Sequence, residues 1–154
     1  LHCSYTRDQI LAALGRYTDK SKPDFREGVL HIKELDTDIL LINLFKDEKS
    51  FSPTTMYKDY AISPSLFHWQ TQSTVSRQSN TAARYMSRDG INGKVLLFVR
   101  ETKSGEFNKP MPYKYLGPAR FVDAQGDRPV SIRWHLDRPM PADFTSIAMT
   151  ASIG

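Results

Sequence analysis

The chain has 154 residues, of which 40% are hydrophobic and 25% are charged, a composition typical of a folded globular domain. Its longest apolar runs, such as Ile39 to Phe45, are too short to cross a bilayer, and its single cysteine excludes an internal disulfide framework. The 21 lysines and arginines exceed the 17 acidic residues, and the resulting net charge of +4 permits a polyanionic partner without requiring one.

The first predicted element is a short amphipathic helix. Thr6 and Gln9, three residues apart, form a capping box, and Gly15 supplies a stop signal. Apolar residues recur between them at helical spacing, which indicates one buried face. These residues are Ile10, Leu11 and Leu14.

Seven short strands follow, because apolar or alternating runs are separated by turn residues from Gly28 onward. The runs cover 28–33, 38–45, 59–63, 66–72, 93–101, 113–122 and 129–136. A second helix is predicted over 76–88, capped by Ser76 or Ser79, and a third after Pro141. This order predicts an α+β fold, with a strongly bent β-sheet or small barrel and two or three flanking helices, forming one domain over 1–154.

The sequence contains few residues in a pattern that indicates a metal-binding or nucleotide-binding site. The four histidines are scattered, Cys3 has no partner cysteine, and neither a phosphate loop nor a dinucleotide fingerprint occurs. We therefore expect no metal and no cofactor. One enzymatic alternative remains, a metal-dependent nuclease in which Asp89, Glu101 and Lys103 would act together.

The most unusual stretch runs from Ser63 to Asn80, where two large aromatic residues stand among amides and hydroxyls. In a strand, Phe67 and Trp69 point to one face, whereas Gln70 and Gln72 point to the other. Glutamine amides donate and accept hydrogen bonds in the way that reads a base edge. The alternative is that Trp69 lies in the core and the glutamines in solvent.

The neighbouring segments favour a nucleic-acid partner. Tyr57, Asp59 and Tyr60 precede the stretch, and rings that stack on a base beside a carboxylate that accepts from an amino group suit an extruded cytosine. After it, the predicted helix carries arginines of the kind that contact phosphates, namely Arg77, Arg84 and Arg88. The alternatives are half-buried strand tyrosines and a solvated helix face.

The segments Asp38 to Tyr85, 94–101 and Tyr113 to Val122 resemble the C-terminal domain of unknown function found in DEAD/DEAH helicases that also carry a phospholipase D-like nuclease domain. The resemblance covers nearly the whole chain and includes the SauUSI-like type IV modification-dependent restriction enzymes. It implies an SRA-like (PUA-like) DNA-recognition domain, cut from a larger cytoplasmic helicase-nuclease.

Such a domain would bind double-stranded DNA that contains 5-methylcytosine or 5-hydroxymethylcytosine and flip the modified base, while other domains of the same parent chain hydrolyse ATP and cleave DNA. We expect no catalysis here and no membrane partner. The expected base pocket comprises Tyr57, Asp59, Tyr60, Phe67, Trp69, Gln70, Gln72 and Ser73. The expected phosphate contacts are Lys58, Arg77, Arg84, Lys114 and Arg120. A protein-interaction or regulatory domain of the helicase is the remaining alternative.

Overall fold

A computed structural model describes residues 1–13, 28–32, 35–45, 58–71, 75–88, 93–102 and 110–152. In these ranges the chain forms eight strands and three helices. In chain order they are β1 (Ser4–Tyr5), α1 (Arg7–Ala13), β2 (Val29–Ile32), β3 (Thr37–Asn43), β4 (Tyr60–Ser63), β5 (Leu66–Gln70), α2 (Asn80–Met86), β6 (Lys94–Arg100), β7 (Tyr113–Gln125), β8 (Ser131–Leu136) and α3 (Ala142–Thr150).

All eight strands belong to one sheet, in the order β2-β3-β6-β7-β8-β5-β4, with β1 added alongside β7. The pair β3–β6 is parallel and the other pairs are antiparallel. The predicted mixed α+β class is confirmed. Among the described residues the sheet is open, because its end strands β2 and β4 do not pair with each other, so these residues do not form the small barrel considered from the sequence.

The predicted strands all occur, although several are shorter than their sequence patterns. The additional strand β1 has only two residues, with Ser4 opposite Lys114 and Tyr5 opposite Tyr113. Of the two predicted caps of the second helix, Ser79 is the N-cap, because its hydroxyl accepts a hydrogen bond from the Ala82 N–H, and α2 begins at Asn80. In the described part of the chain, no helix is both long and apolar enough to cross a membrane.

The predicted capping box is present at the start of α1. The Thr6 N–H donates to Gln9 Oε1 at 2.8 Å, and the Gln9 N–H donates to Thr6 Oγ1 at 3.1 Å. Ile10 and Leu11 are buried on the helix face that these caps orient. Leu14 and Gly15, which complete the prediction, lie outside the described residues.

Two apolar clusters lie on the two faces of the sheet. The larger cluster contains buried residues of α2 and α3 together with side chains from β3 to β8, and we call this face the inner face. The smaller cluster, on the outer face, joins Ile10 of α1 to Ile39 of β3 and Phe98 of β6. Strands β3 and β6 are therefore covered on both faces, as is usual for a parallel pair.

A carboxylate is fully buried on the inner face of β3. Asp38 has no exposed surface and accepts hydrogen bonds from two arginines of the α2 segment. Arg84 Nε lies 3.1 and 3.2 Å from its two oxygens, and Arg88 Nη2 lies 2.8 Å from Oδ2. Arg88 also donates to Asp36 Oδ1 at 2.7 Å, and His31 Nδ1 lies 3.3 Å from Asp38 Oδ1.

The Arg88 guanidinium is almost as enclosed as Asp38. Burial acts to lower its pKa, but the hydrogen bonds that it donates to Asp36 and Asp38, with the charges of these carboxylates, outweigh burial and raise the pKa above its ordinary value. Gly93 lies against the same group, and a Cβ at this position would overlap Arg88 Nη1. The Arg88 carbonyl accepts from the Phe121 N–H at 2.7 Å, so the network also ties the end of α2 to β7.

Replacing Thr6 with alanine should lower the free energy of unfolding by about 1 kcal/mol, because the capping hydroxyl of α1 is lost. Urea unfolding of the variant and the parent measures the difference. Ala12→Ser, at an exposed position near the other end of α1, serves as the control. Equal stability of the Thr6 variant and the parent would contradict the capping role.

Asp38→Asn should cost about 3 to 5 kcal/mol, because it leaves two guanidinium groups without their buried counter-charge. The matched control is Asp36→Asn, since the Asp36 side chain is 59% exposed and contacts the same arginine. We expect less than about 1 kcal/mol for the control. A similar loss of unfolding free energy in both variants would contradict the view that burial of Asp38 makes its ion pairs more stabilising than that of Asp36.

Candidate functional site

Strand β5 divides its side chains between core and surface. Phe67 is 0% and Trp69 is 5% exposed, and both belong to the larger apolar cluster. Trp69 meets Tyr85 edge to face, with ring centroids 5.2 Å apart. Leu66, His68 and Gln70 alternate with them and are half-buried on the outer face. The two faces differ as predicted, and the aromatic face is the core.

The outer face of β5 continues onto its two neighbouring strands. On β8, Arg133 lies opposite His68 and Ser131 opposite Gln70, while Tyr60 of β4 lies opposite His68 on the other side. Asp123 of β7 follows next to Arg133. We call this set the outer polar surface: Tyr60, His68, Gln70, Asp123, Ser131 and Arg133.

At the centre of the outer polar surface, Tyr60 and His68 form a stacked pair. Their ring centroids are 4.4 Å apart and their planes differ by 15°. His68 Nδ1 lies 3.0 Å from the Lys58 carbonyl oxygen. Since a carbonyl only accepts, Nδ1 carries the hydrogen, and in the neutral ring Nε2 is the acceptor.

Hydrogen bonds join the segment before β4 to Gln70, the last residue of β5. The Lys58 N–H donates to Gln70 Oε1 at 2.7 Å, and Gln70 Nε2 donates to Ser131 Oγ at 3.2 Å. The Asp59 carboxylate is buried and accepts from the Gln70 N–H at 3.0 Å. Both ends of the Gln70 amide and one oxygen of Asp59 are thus already used within the protein.

Charge on the outer polar surface is partly neutralised. Arg133 Nη2 forms a close ion pair with Asp123 Oδ2, and their side chains are 42% and 39% exposed. The hydrogen bond from Arg133 lowers the pKa of Asp123, and the same contact raises the pKa of Arg133. Burial is the main reason that the pKa of His68 is lowered, and Arg133 adds to this effect, whereas the Lys58 carbonyl and Asp59 oppose it.

The structure brings together only part of the expected base pocket. Asp59, Tyr60 and Gln70 are neighbours, but Phe67 and Trp69 face the core on the opposite side of the sheet. The other expected pocket residues lie outside the described residues: Tyr57, Gln72 and Ser73.

The five expected phosphate contacts do not share one face. Arg120 is exposed on the outer face, and Lys58 is exposed just before β4. The ammonium of Lys114 lies 5.6 Å from the centre of the Phe144 ring on the inner face, and Arg84 is bound to Asp38. Arg77 precedes α2, where its N–H donates to Asp127 Oδ1 at 2.8 Å.

The residues of the nuclease alternative cannot be compared as a set, because Asp89 and Lys103 lie outside the described residues. Glu101 directly follows β6 and is half-buried, and its carbonyl accepts from the Phe45 N–H at 2.8 Å. Within the described ranges, no three histidine, cysteine or acidic side chains are placed to share a metal ion.

Sequence reasoning did not select His68 and Arg133, although the pattern that places them is visible. In the run "SIRWHL" every second residue is polar, so Ser131, Arg133 and His135 share one face. The cross-strand register that sets Arg133 beside His68 joins residues far apart in the chain, and local periodicity does not contain it.

The fold and the outer polar surface define a mixed α+β domain whose sheet is open among the described residues. A family model described as Domain of unknown function (DUF3427) matches residues 1–146, and the chain belongs to this family. No curated protein is significantly similar to the chain.

Stability should fall as the pH drops from about 7.5 to about 5, partly through His68. The pKa of His68 is lowered in the folded state, so the unfolded chain takes up the proton more readily and acidification favours unfolding. The stabilising contribution is complete above the unfolded pKa of about 6.5 and is lost below it.

His68→Gln, which keeps a donor for the Lys58 carbonyl, should show a shallower decline. Urea unfolding of both proteins across this pH range measures the two slopes. The pKa of His2 is also lowered, and this effect is common to both proteins, so the difference between the slopes reports His68. Parallel slopes would contradict this role for His68.

Proposed function

We propose that this chain recognises duplex DNA carrying 5-methylcytosine or 5-hydroxymethylcytosine and directs an ATP-dependent type IV restriction enzyme to it. In this proposal the domain is SRA-like, it flips the modified base, and it has no catalytic activity of its own. Helicase and nuclease domains of a larger cytoplasmic parent chain supply ATP hydrolysis and cleavage.

The observation that carries the proposal is the stacked Tyr60–His68 pair beside Arg133 on an outer face of the sheet. Flat rings offer a surface on which a base stacks, and such stacking is worth about 1 to 3 kcal/mol per base. The Arg133 guanidinium beside the rings is paired with Asp123, and its remaining N–H groups can donate to a phosphate or a base acceptor. Few other ligands combine flat rings with a dense negative charge.

The resemblance of the sequence to a helicase-associated domain and its net charge are a second support. DUF3427 is a family of unknown function, so membership names no ligand. The match is nonetheless consistent with the resemblance to the C-terminal domain of helicase-nuclease chains, because both extend over nearly the whole sequence. The net charge of +4 favours approach to a polyanion.

The geometry changes the roles expected from the sequence. Tyr60 and His68 provide the stacking surface, in place of Phe67 and Trp69, which are core residues. Asp59 and Gln70 hold this surface in position through their hydrogen bonds to the Lys58–Tyr60 segment and β5. His68 Nε2, the acceptor of the neutral ring, matches the donor character of the cytosine amino group.

Discrimination between cytosine and 5-methylcytosine should be moderate. A buried methyl group contributes about 0.8 kcal/mol, which is about a fourfold preference. Leu66 and Ile62 are half-buried next to the stacked pair and offer apolar contact for such a group.

Tyr60→Ala should weaken binding to a modified duplex by about 5- to 100-fold through the loss of stacking. Fluorescence anisotropy measures this with matched duplexes that carry cytosine, 5-methylcytosine or 5-hydroxymethylcytosine, each at several salt concentrations. Tyr5→Ala is the control, since Tyr5 is an exposed tyrosine that pairs with Phe98 near α1.

Tighter binding of the parent chain to a modified duplex, lost in the Tyr60 variant and kept in the Tyr5 variant, is the expected result. Equal binding to all three duplexes would refute modification recognition. Absence of binding at any salt concentration would favour the protein-interaction alternative. Magnesium-dependent cleavage that is lost in Glu101→Ala would favour the nuclease.

A further inference from the structure

Three basic side chains on neighbouring strands form a row on the outer face, beside the outer polar surface. Arg120 of β7 lies opposite His135 of β8. Val95 of β6 lies opposite Ala119, so the antiparallel register places the preceding Lys94 opposite Arg120. Val95 and Ala119 face the core, and their neighbours Lys94 and Arg120 therefore point outward. We call Lys94, Arg120 and His135 the basic row.

The two formal charges of the basic row, on Lys94 and Arg120, are not neutralised within the described residues. Lys94 and Arg120 are exposed and form no ion pair with any described side chain, unlike Arg84 and Arg88 with Asp38. The nearby carboxylate of Asp123 is held by Arg133. His135 Nδ1 is buried without a hydrogen-bond partner in this part of the chain.

The basic row runs parallel to the stacked rings. Adjacent strands are about 4.8 Å apart, so the three positions on β6, β7 and β8 span about 10 Å. A second row, two residues along the strands, contains Tyr60, His68 and Arg133 in register. Two residues cover about 6.7 Å, which separates the two rows.

We propose that the basic row binds consecutive phosphates of one strand of duplex DNA and fixes the register in which the Tyr60–His68 pair meets a base. This inference rests on the proposed function, because it assigns the DNA backbone to one side of the same surface. Phosphates of one strand advance about 3.4 Å per base pair along the helix axis, so a row of about 10 Å extends over about three base pairs of that axis. Phosphate contacts carry no sequence information, and the basic row therefore contributes equally to modified and unmodified duplexes.

The test compares salt dependence in Lys94→Gln, Arg120→Gln and the double variant. Each lost phosphate contact should reduce the slope of log affinity against log salt by about 0.9. Between about 50 and about 200 mM salt, each single variant should thus lose about 3.5-fold less affinity than the parent. His135→Gln is measured as a third position in the same row.

Lys114→Gln is the comparison on the opposite face. The sequence predicted a phosphate contact for Lys114, but its ammonium lies against the Phe144 ring on the inner face, away from the basic row. The slope of this variant should equal that of the parent. Thermal unfolding confirms that each variant is folded, and the exposed positions of Lys94 and Arg120 make destabilisation small.

The outcomes separate this inference from the proposed function. A reduced slope on both duplexes, with the modification preference unchanged, supports the basic row. An unchanged slope in the double variant, or an equal reduction in the Lys114 variant, overturns the basic row even if the modification preference persists. A reduced slope without any modification preference refutes the proposed function but supports the phosphate contacts of the basic row. Absence of DNA binding refutes both proposals.

Discussion

The buried carboxylate of Asp38 is the constraint on which much of the molecule depends. Removing a carboxylate from water costs several kcal/mol, and only well-placed cations offset that cost. Arg84 and Arg88 supply them from one helical segment, which fixes α2 against β3. The Arg88 carbonyl then binds the Phe121 N–H of β7. A single charge thereby sets the relative positions of one helix and two strands of the sheet.

The two halves of the sheet have different chemistry on the outer face. On β3, β6 and the start of β7, this face is apolar and packs against α1. Toward β8, β5 and β4 it carries a stacked tyrosine and histidine, a serine and an arginine. Apart from Asp38 on β3 and Lys114 on β7, the inner face of these strands carries the larger apolar cluster. The outer polar surface therefore rests on a continuous core, which explains how Phe67 and Trp69 support a site that they do not enter.

Local patterns were sufficient to predict the α+β class and most of the helices and strands, but not the strand order. Thr6 and Gln9 are three residues apart, and the alternation in β5 spans five residues, so each signal is contained in a short window. The Asp38 network joins residues about 50 positions apart, and no local window contains it. The same limit applies to the candidate site, because the stack of Tyr60 on His68 and the place of Arg133 follow from strand order. Alternation showed that β5 has two faces, but only packing showed which face is the core.

In the proposed function, the stacked pair would also affect the entropy that is lost when a base binds. Hydrogen bonds from His68 to the Lys58 carbonyl and from the Lys58 N–H to Gln70 already restrict this segment in the free protein. Immobilising a side chain on binding costs about 0.5 to 1.5 kcal/mol. Because this segment is already restrained in the folded protein, less conformational entropy would be lost on binding. The rings of Tyr60 and His68 therefore form a pre-organised platform, whose rigidity favours flat partners over flexible ones.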